Sequence, residues 1–252
     1  MPATRELRIN ERFCGPPGAA QGGVACGSFA ALLGPAAEVT LRRPVPMGRP
    51  LAARRDGACG WVVEDGNVVV GAVRPAAPAE LAVPAAVTLP EARAAEGRAR
   101  YFDEPAFPGC FGCGPARRPG DGLRIFPGPV NGAVNGGASM VAAPWTPDAS
   151  VSDADGRVWP EVVWAALDCP SGIAAAEAYD IPRDTAILLG RMTGGVAARP
   201  RAGDPCRLVA WADGRDGRKL YARAALLGPG DDVLAAVRTV WITVPRTTGT
   251  PS

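Results

Sequence analysis

Few residues of this chain could do chemistry, and none of them is a histidine. That excludes Ser-His-Asp and Cys-His nucleophiles, histidine-ligated metals and histidine-dependent dehydration. What remains is the chemistry of carboxylates, hydroxyls, thiols and backbone dipoles. Two segments present such groups in a shared order. Gln21-Gly22-Gly23 opens a small, apolar stretch that runs to Leu33. Trp159-Pro160-Glu161 opens a second stretch, in which Asp168 follows Trp159 by nine residues. The first stretch keeps a glycine pair but has Ala30 where the second has Asp168. Each copy thus keeps a group that the other lacks.

The elements around these segments repeat as well. The strand-like Glu38-Val39-Thr40-Leu41-Arg42 leads to Arg43-Pro44, three residues, and Gly48-Arg49-Pro50. The strand-like Ala186-Ile187-Leu188-Leu189 leads to Arg199-Pro200, two residues, and Gly203-Asp204-Pro205. A common order with a common R-P-x(2,3)-G-x-P signature indicates a duplicated unit. Residues 1–95 form the first unit with a Pro/Ala-rich linker, and residues 96–252 form the second.

In the first unit, Leu7-Arg8-Ile9 is a short strand candidate. A buried helix is predicted over 21–33, stopped by Gly34-Pro35. Strands are predicted at 37–43, 50–63 (with a break at Asp56-Gly57) and 67–74, with Asp65-Gly66-Asn67 as a hairpin turn. Residues 75–106 read as a linker holding one short helix, with Thr88 as its N-cap. In the second unit, strands are predicted at 122–126, 137–143, 185–197, 205–212, 218–227 and 232–244. Turns fall at Asp213-Gly214, Asp216-Gly217 and Gly228-Pro229-Gly230. The second helix begins at 160. Its pattern is clear to 168, where Asp168-Cys169-Pro170-Ser171-Gly172 reads as a break, whereas the fold as a whole predicts a helix over 160–178. A helix followed by an antiparallel sheet, twice over, is an α+β arrangement in which each sheet wraps its helix.

Composition narrows the class further. The chain has 252 residues and a net charge of +2, with Lys219 its only lysine. That balance gives no nucleic-acid or membrane surface. The N-terminal residues carry no apolar core of a secretory signal, and no stretch reaches the length of an uncharged membrane span, so the expected location is cytoplasmic. Seven cysteines, an odd number, scattered except for Cys110 and Cys113, read as buried thiols and not as a disulfide framework.

Three segments together resemble the hotdog-fold acyl-CoA thioesterase superfamily, in the form of a fused double hotdog. Cys110-Phe111-Gly112-Cys113-Gly114-Pro115, followed by Gly122-Leu123, is similar to the C-F-x-C-G…G-L entrance of phenylacetate-pathway-type thioesterases. Gln21-Gly22-Gly23 stands where those proteins carry His-Gly-Gly, and Asp168 has the spacing of their aspartate. The resemblance implies that Gly22 or Gly23 offers a backbone N–H to a thioester carbonyl. It also implies that Asp168, from the neighbouring unit, activates water or attacks the acyl carbon. A helix N-terminus suits the first role, because it presents unpaired N–H groups where negative oxygen develops. A carboxylate suits the second. Pro160 has no N–H and Ala30 no carboxylate, so one composite site is implied and not two.

Each of these residues also has a plainer reading. Asp168 could cap the turn at Pro170, and Gly22-Gly23 could serve only close packing of the helix against the sheet. Gln21, Trp164 and Arg191 are the substrate-binding candidates. Ile173 and Met192 are candidates for an acyl pocket, although buried core is the alternative for both and for Trp164. Arg42, Arg43, Arg191 and Arg199 could meet a CoA phosphate or be solvated strand edges. Cys110 and Cys113, a single C-x-x-C with no second pair and no histidine, read as a tight turn with no metal. Asp153-x-Asp155-Gly156 reads as an exposed turn.

The expected activity is hydrolysis of an acyl thioester, on CoA or on a carrier protein. No cofactor is expected beyond the CoA or phosphopantetheine of the substrate, and neither nucleic acid nor membrane is a partner. Self-association is left open. The rival reading is a non-catalytic acyl-thioester-binding or scaffold protein.

Overall fold

The computed structural model describes residues 4–34, 36–77, 83, 87–134 and 138–246. The first half supplies β1 (Thr4–Leu7), α1 (Gly22–Ala30), β2 (Ala36–Leu41), β3 (Leu51–Asp56), β4 (Gly60–Asp65), β5 (Val68–Pro75) and α2 (Leu89–Ala95). The second supplies β6 (Gly128–Val134), β7 (Ala138–Trp145), α3 (Pro160–Ala178), β8 (Thr185–Val196), β9 (Cys206–Asp216), β10 (Lys219–Leu227) and β11 (Val233–Pro245).

Among the described residues the strands form one antiparallel sheet, in the order β1-β3-β4-β5-β2-β8-β11-β10-β9-β7-β6. Apart from β6, this order is a palindrome about the β2–β8 seam. The seam runs in register from Ala36 opposite Gly195 to Thr40 opposite Arg191. Two separate sheets would leave β2 and β8 with unpaired edges, and joining them removes both edges. The repeated R-P-x(2,3)-G-x-P segments occupy equivalent positions, joining β2 to β3 and β8 to β9. Gly48 (φ 71°) and Gly203 (φ 89°) adopt the left-handed conformation that both connections need.

Helices α1 and α3 pack on each other and on the same face of the sheet. On the opposite face α2 packs over β6, β7 and β9. Along β9, Leu208 and Ala210 point to the main core, while Val209 and Trp211 point to a second cluster that includes Ala92 of α2. This alternation is the strand period of two. Thr88 and Glu91 form a capping box at the start of α2: the Thr88 amide donates to Glu91 Oε2 at 2.7 Å and the Glu91 amide to Thr88 Oγ1 at 3.3 Å. The linker helix therefore packs on strands of the second half. Residues 78–82 and 84–86 of that stretch lie outside the described residues.

β1 lies at Thr4–Leu7 and not at 7–9, and β6 forms at Gly128–Val134, where no strand is predicted. Four further features depart from the sequence reading. First, α1 stops at Ala30, not 33, because Leu32 and Leu33 bond the carbonyls of Phe29 and Ala30 three residues back. Second, α3 does not break at Pro170. Ser171 Oγ donates to the Asp168 carbonyl at 2.7 Å, and Trp241 Nε1 donates to Ser171 Oγ at 3.0 Å. The Trp241 ring lies so close to Gly172 that a Cβ there would come within 2.8 Å of it. Tertiary packing thus holds a helix that propensity would end. Third, residues 122–126 are not a strand. Leu123 and Ile125 donate to the carbonyls of Phe111 and Gly112, tying this stretch to the cysteine turn. Fourth, Asp213-Gly214 is a bulge inside β9 and not a turn, with Tyr221 opposite Gly214 and Ala222 opposite Ala212.

Candidate active site

The site is built where α1 crosses α3. Glycines allow that crossing: a Cβ on Gly23 would lie 2.6 Å from the Trp164 carbonyl oxygen and 2.7 Å from the Ala165 Cα. A Cβ on Gly27, one turn later, would lie 2.5 Å from the Glu161 Cα. Gly23 is thus essential to helix contact. It packs on α3 and not, as the plainer reading had it, on the sheet.

That contact brings Asp168 against the start of α1. Asp168 lies inside α3, is 3% exposed, and caps nothing. Its Oδ2 accepts from the Gly23 amide at 2.8 Å and from Gln21 Nε2 at 2.6 Å. Its Oδ1 is buried and has no hydrogen-bond partner among the described residues. A buried, unpaired carboxylate oxygen costs roughly 1–3 kcal/mol or more, so a ligand that satisfies it gains at this point. Burial pushes the Asp168 carboxyl up to about 8. The Gly23 amide opposes that shift, negative charge at Cys110 adds to it, and the Gln21 amide again opposes it. A carboxylate poised this way is matched to proton transfer near neutral pH.

Gln21 is the N-cap of α1: its Oε1 accepts from the Val24 amide at 2.8 Å while its Nε2 holds Asp168. It positions the acid, and it does so without titrating. The two glycines separate in role. The Gly23 amide is committed to Asp168, so it is not free as an oxyanion donor. The Gly22 amide donates to no protein group among the described residues.

A cavity of about 410 Å³ reaches these groups. Its buried part is lined by Gln21, Gly22 and Asp168, and apolar walls come from Ile173, Ile187 and Leu189. Gly190 forms a bulge beside Leu189: Leu189 pairs with Trp241 and Arg191 with Val240, which leaves Gly190 as the extra residue. The bulge lets both line the cavity, with Leu189 against Gly22. The exposed rim carries Arg42 and Arg43, whose side chains have no ion-pair or hydrogen-bond partner among the described residues. Arg100, Arg183 and Arg246 also line it, but each is ion-paired to carboxylates.

Several candidates fall elsewhere. Trp164 is core and lies beneath Gly23 and Gly27, away from the Asp168 cavity. Arg191 is exposed and pairs with Glu38 at 3.7 Å and Thr40 at 3.2 Å, so it does not reach the cavity. Met192 is fully buried core, whereas Ile173 is a cavity wall. Arg199 bonds Asp153 at 2.8 Å. Asp153 Oδ1 also accepts the Asp155 and Arg157 amides, so that loop is a turn held by its own side chain.

Around the twofold counterpart of the site, a second cavity is lined by Ala30, Pro160 and Trp164. It has neither the carboxylate nor the free helix-start amide.

The cysteine pair gains an unforeseen partner. Cys169, next to Asp168, places its sulfur 3.7 Å from that of Cys110, and the sulfurs of Cys110, Cys113 and Cys169 all lie within 4.8 Å of one another. Hydrogen bonds from the Cys113 and Cys169 thiols and from nearby amides hold Cys110 well below the usual thiol range. All seven cysteines are free thiols. Sequence reasoning also missed Gly27. The Gly23-x-x-x-Gly27 spacing was its available signal, because residues four apart share a helix face.

Solved structures share this fold. The tesB protein MAP1729c of Mycobacterium avium subs paratuberculosis is 11% identical with a TM-score of 0.62, over 96% of this chain and 93% of that one. The acyl-CoA thioesterase II TesB2 of Mycobacterium marinum is 12% identical with a TM-score of 0.63, over 98% of this chain and 94% of that one. At such identities the likeness is one of fold, and it identifies the hotdog fold that the motifs resemble. No family model matches the sequence, and no curated protein is similar to it in sequence. No described helix is long and apolar enough to cross a membrane.

Proposed function

We propose that this hotdog-fold chain hydrolyses an acyl thioester at one composite site. The observation that carries the reading is that Asp168, whose buried Oδ1 has no hydrogen-bond partner among the described residues, and Gly22, whose amide is uncommitted, line one cavity. Asp168 takes a proton from water, or attacks the acyl carbon itself. The Gly22 amide and the positive end of α1 stabilise the oxyanion. Gly23 and Gln21 orient the carboxylate by holding Oδ2, which leaves Oδ1 for the reaction. The apolar walls accept the acyl group, and Arg42 and Arg43 suit the phosphates of CoA or of a phosphopantetheine arm. The architecture reads as a double hotdog of units 1–95 and 96–252, in which each central helix is wrapped by its half of the sheet. The hydrolysis as proposed draws on no cofactor beyond the thiol moiety of the substrate.

A thiol-release assay over a panel of acyl-CoAs and acyl-carrier proteins tests this. Asp168→Asn keeps an oxygen for the Gly23 and Gln21 donors, so it should fold normally. Turnover should nevertheless fall by roughly two to four orders of magnitude. Unchanged turnover in that variant, or acyl-CoA binding with no turnover in the wild type, would move the assignment to the rival reading of an acyl-thioester-binding protein.

A further inference from the structure

Cys110, Cys113 and Cys169 form a buried group that the thioester chemistry does not use. Two of the thiols come from one turn, closed by the Cys110 amide on the Phe107 carbonyl at 3.0 Å and the Gly114 amide on the Cys110 carbonyl at 2.8 Å. The third comes from α3. The turn can sit over α3 only because residue 112 is glycine: a Cβ there would lie 2.7 Å from the Cys169 sulfur. Two independent elements are therefore packed to the limit of contact so that three sulfurs converge.

The spacing is informative. Thiolates arranged tetrahedrally at about 2.3 Å from a zinc ion lie about 3.8 Å from one another. The Cys110 and Cys169 sulfurs are 3.7 Å apart. A disulfide would use two of the sulfurs and strand the third, whereas a thiophilic cation uses all of them. The C-x-x-C alone offers two thiols, and α3 supplies a third in Cys169.

We propose that Cys110, Cys113 and Cys169 bind one zinc ion whose fourth coordination position opens onto the Asp168 cavity. All three cysteines line that cavity together with Asp168. Among the described residues no further cysteine, aspartate or glutamate joins the group, and the chain has no histidine. The fourth ligand is therefore water or a donor atom of whatever occupies the cavity. Three protein ligands with an open position is the pattern of zinc sites that meet a substrate, and purely structural sites are closed by four. The inference does not rest on the thioesterase reading, because it concerns metal and not turnover.

The test uses the full chain, expressed with added zinc and purified without chelators. Elemental analysis should find about one zinc per chain. Replacement by Co²⁺ should give sulfur-to-cobalt charge-transfer bands and the intense visible bands of a tetrahedral centre. Cys169→Ser should lower the zinc content at least about tenfold while keeping a cooperative melt. If that variant does not fold, Cys113→Ser provides the same comparison from the turn. Wild-type protein that takes up neither ion would overturn the proposal. So would a Cys110–Cys169 disulfide found by mass spectrometry in freshly purified protein, or folded variants that retain full zinc. Each of these outcomes leaves the thiol-release assay to decide the thioesterase reading on its own.

Discussion

At the scale of single residues, adjacent glycines have different work. Gly23 touches the backbone of α3, which cannot yield, while Gly22 faces the cavity and the Leu189 side chain. Gly23→Ala should therefore destabilise the protein by about 1–3 kcal/mol, despite the roughly 1 kcal/mol that alanine gains in helix propensity. A denaturant titration reads this. Gly22→Ala should cost less stability, since Leu189 can shift, and should appear instead as a loss of turnover. Equal stability losses at both positions would show that helix contact does not distinguish them. Gln21→Ala removes a cap worth about 0.5–2 kcal/mol and also releases Asp168 Oδ2. Both stability and turnover should fall, and Gln21→Glu should not restore turnover, because a second carboxylate would face Asp168. Matched positions in two repeated segments, together with the family resemblance, pointed to one site for Gln21, Gly22, Gly23 and Asp168. It could not assign Trp164, Arg191 or Cys169, because which way a side chain points across a helix pair or a sheet is decided by register and crossing geometry, not by residue type.

At the scale of elements, helix starts and strand runs were legible where local signals agree with tertiary packing. Thr88 with Glu91 is such a case, and so are the paired left-handed glycines after β2 and β8. The misreadings occur where packing overrides local preference. Pro170 stays helical because Ser171, Thr239 and Trp241 form a buried hydrogen-bonded group around it. Residues 122–126 spend their amides on the cysteine turn, which no strand pattern reveals. The element α2 also yields a control. Thr88→Ala should cost about 0.5–2 kcal/mol by loss of the capping box. Turnover should stay at the wild-type level, because α2 packs on the face of the sheet opposite α1 and α3. A melting curve and the thiol-release assay on the same sample check both halves. A large loss of turnover would mean that the outer face communicates with the cavity.

At the scale of the whole molecule, duplication alone suggests two independent units, but the contacts argue otherwise. The site needs α1 from one half and α3 from the other, and the Gly23 and Gly27 faces have no other surface to meet. The sheet is continuous through the β2–β8 seam, so separating the halves would expose two strand edges at the centre of the molecule. It would also expose the apolar contact between the helices, whereas Val68 and Val233 are the large hydrophobic residues exposed on the described surface. Thermal unfolding of the full chain should therefore be one cooperative transition, with helical and tryptophan signals coinciding. Residues 1–95 and 96–252 produced separately should each fail to give a cooperative melt, the first more completely because its helix α1 is the shorter and is buried on α3. Mixing or co-expressing the two fragments should restore the melt, since the seam and the helix pair are the missing partners. If the 1–95 fragment folds alone with native stability, the halves are autonomous. The composite site would then be a contact between finished domains, instead of the interior of one cooperative core.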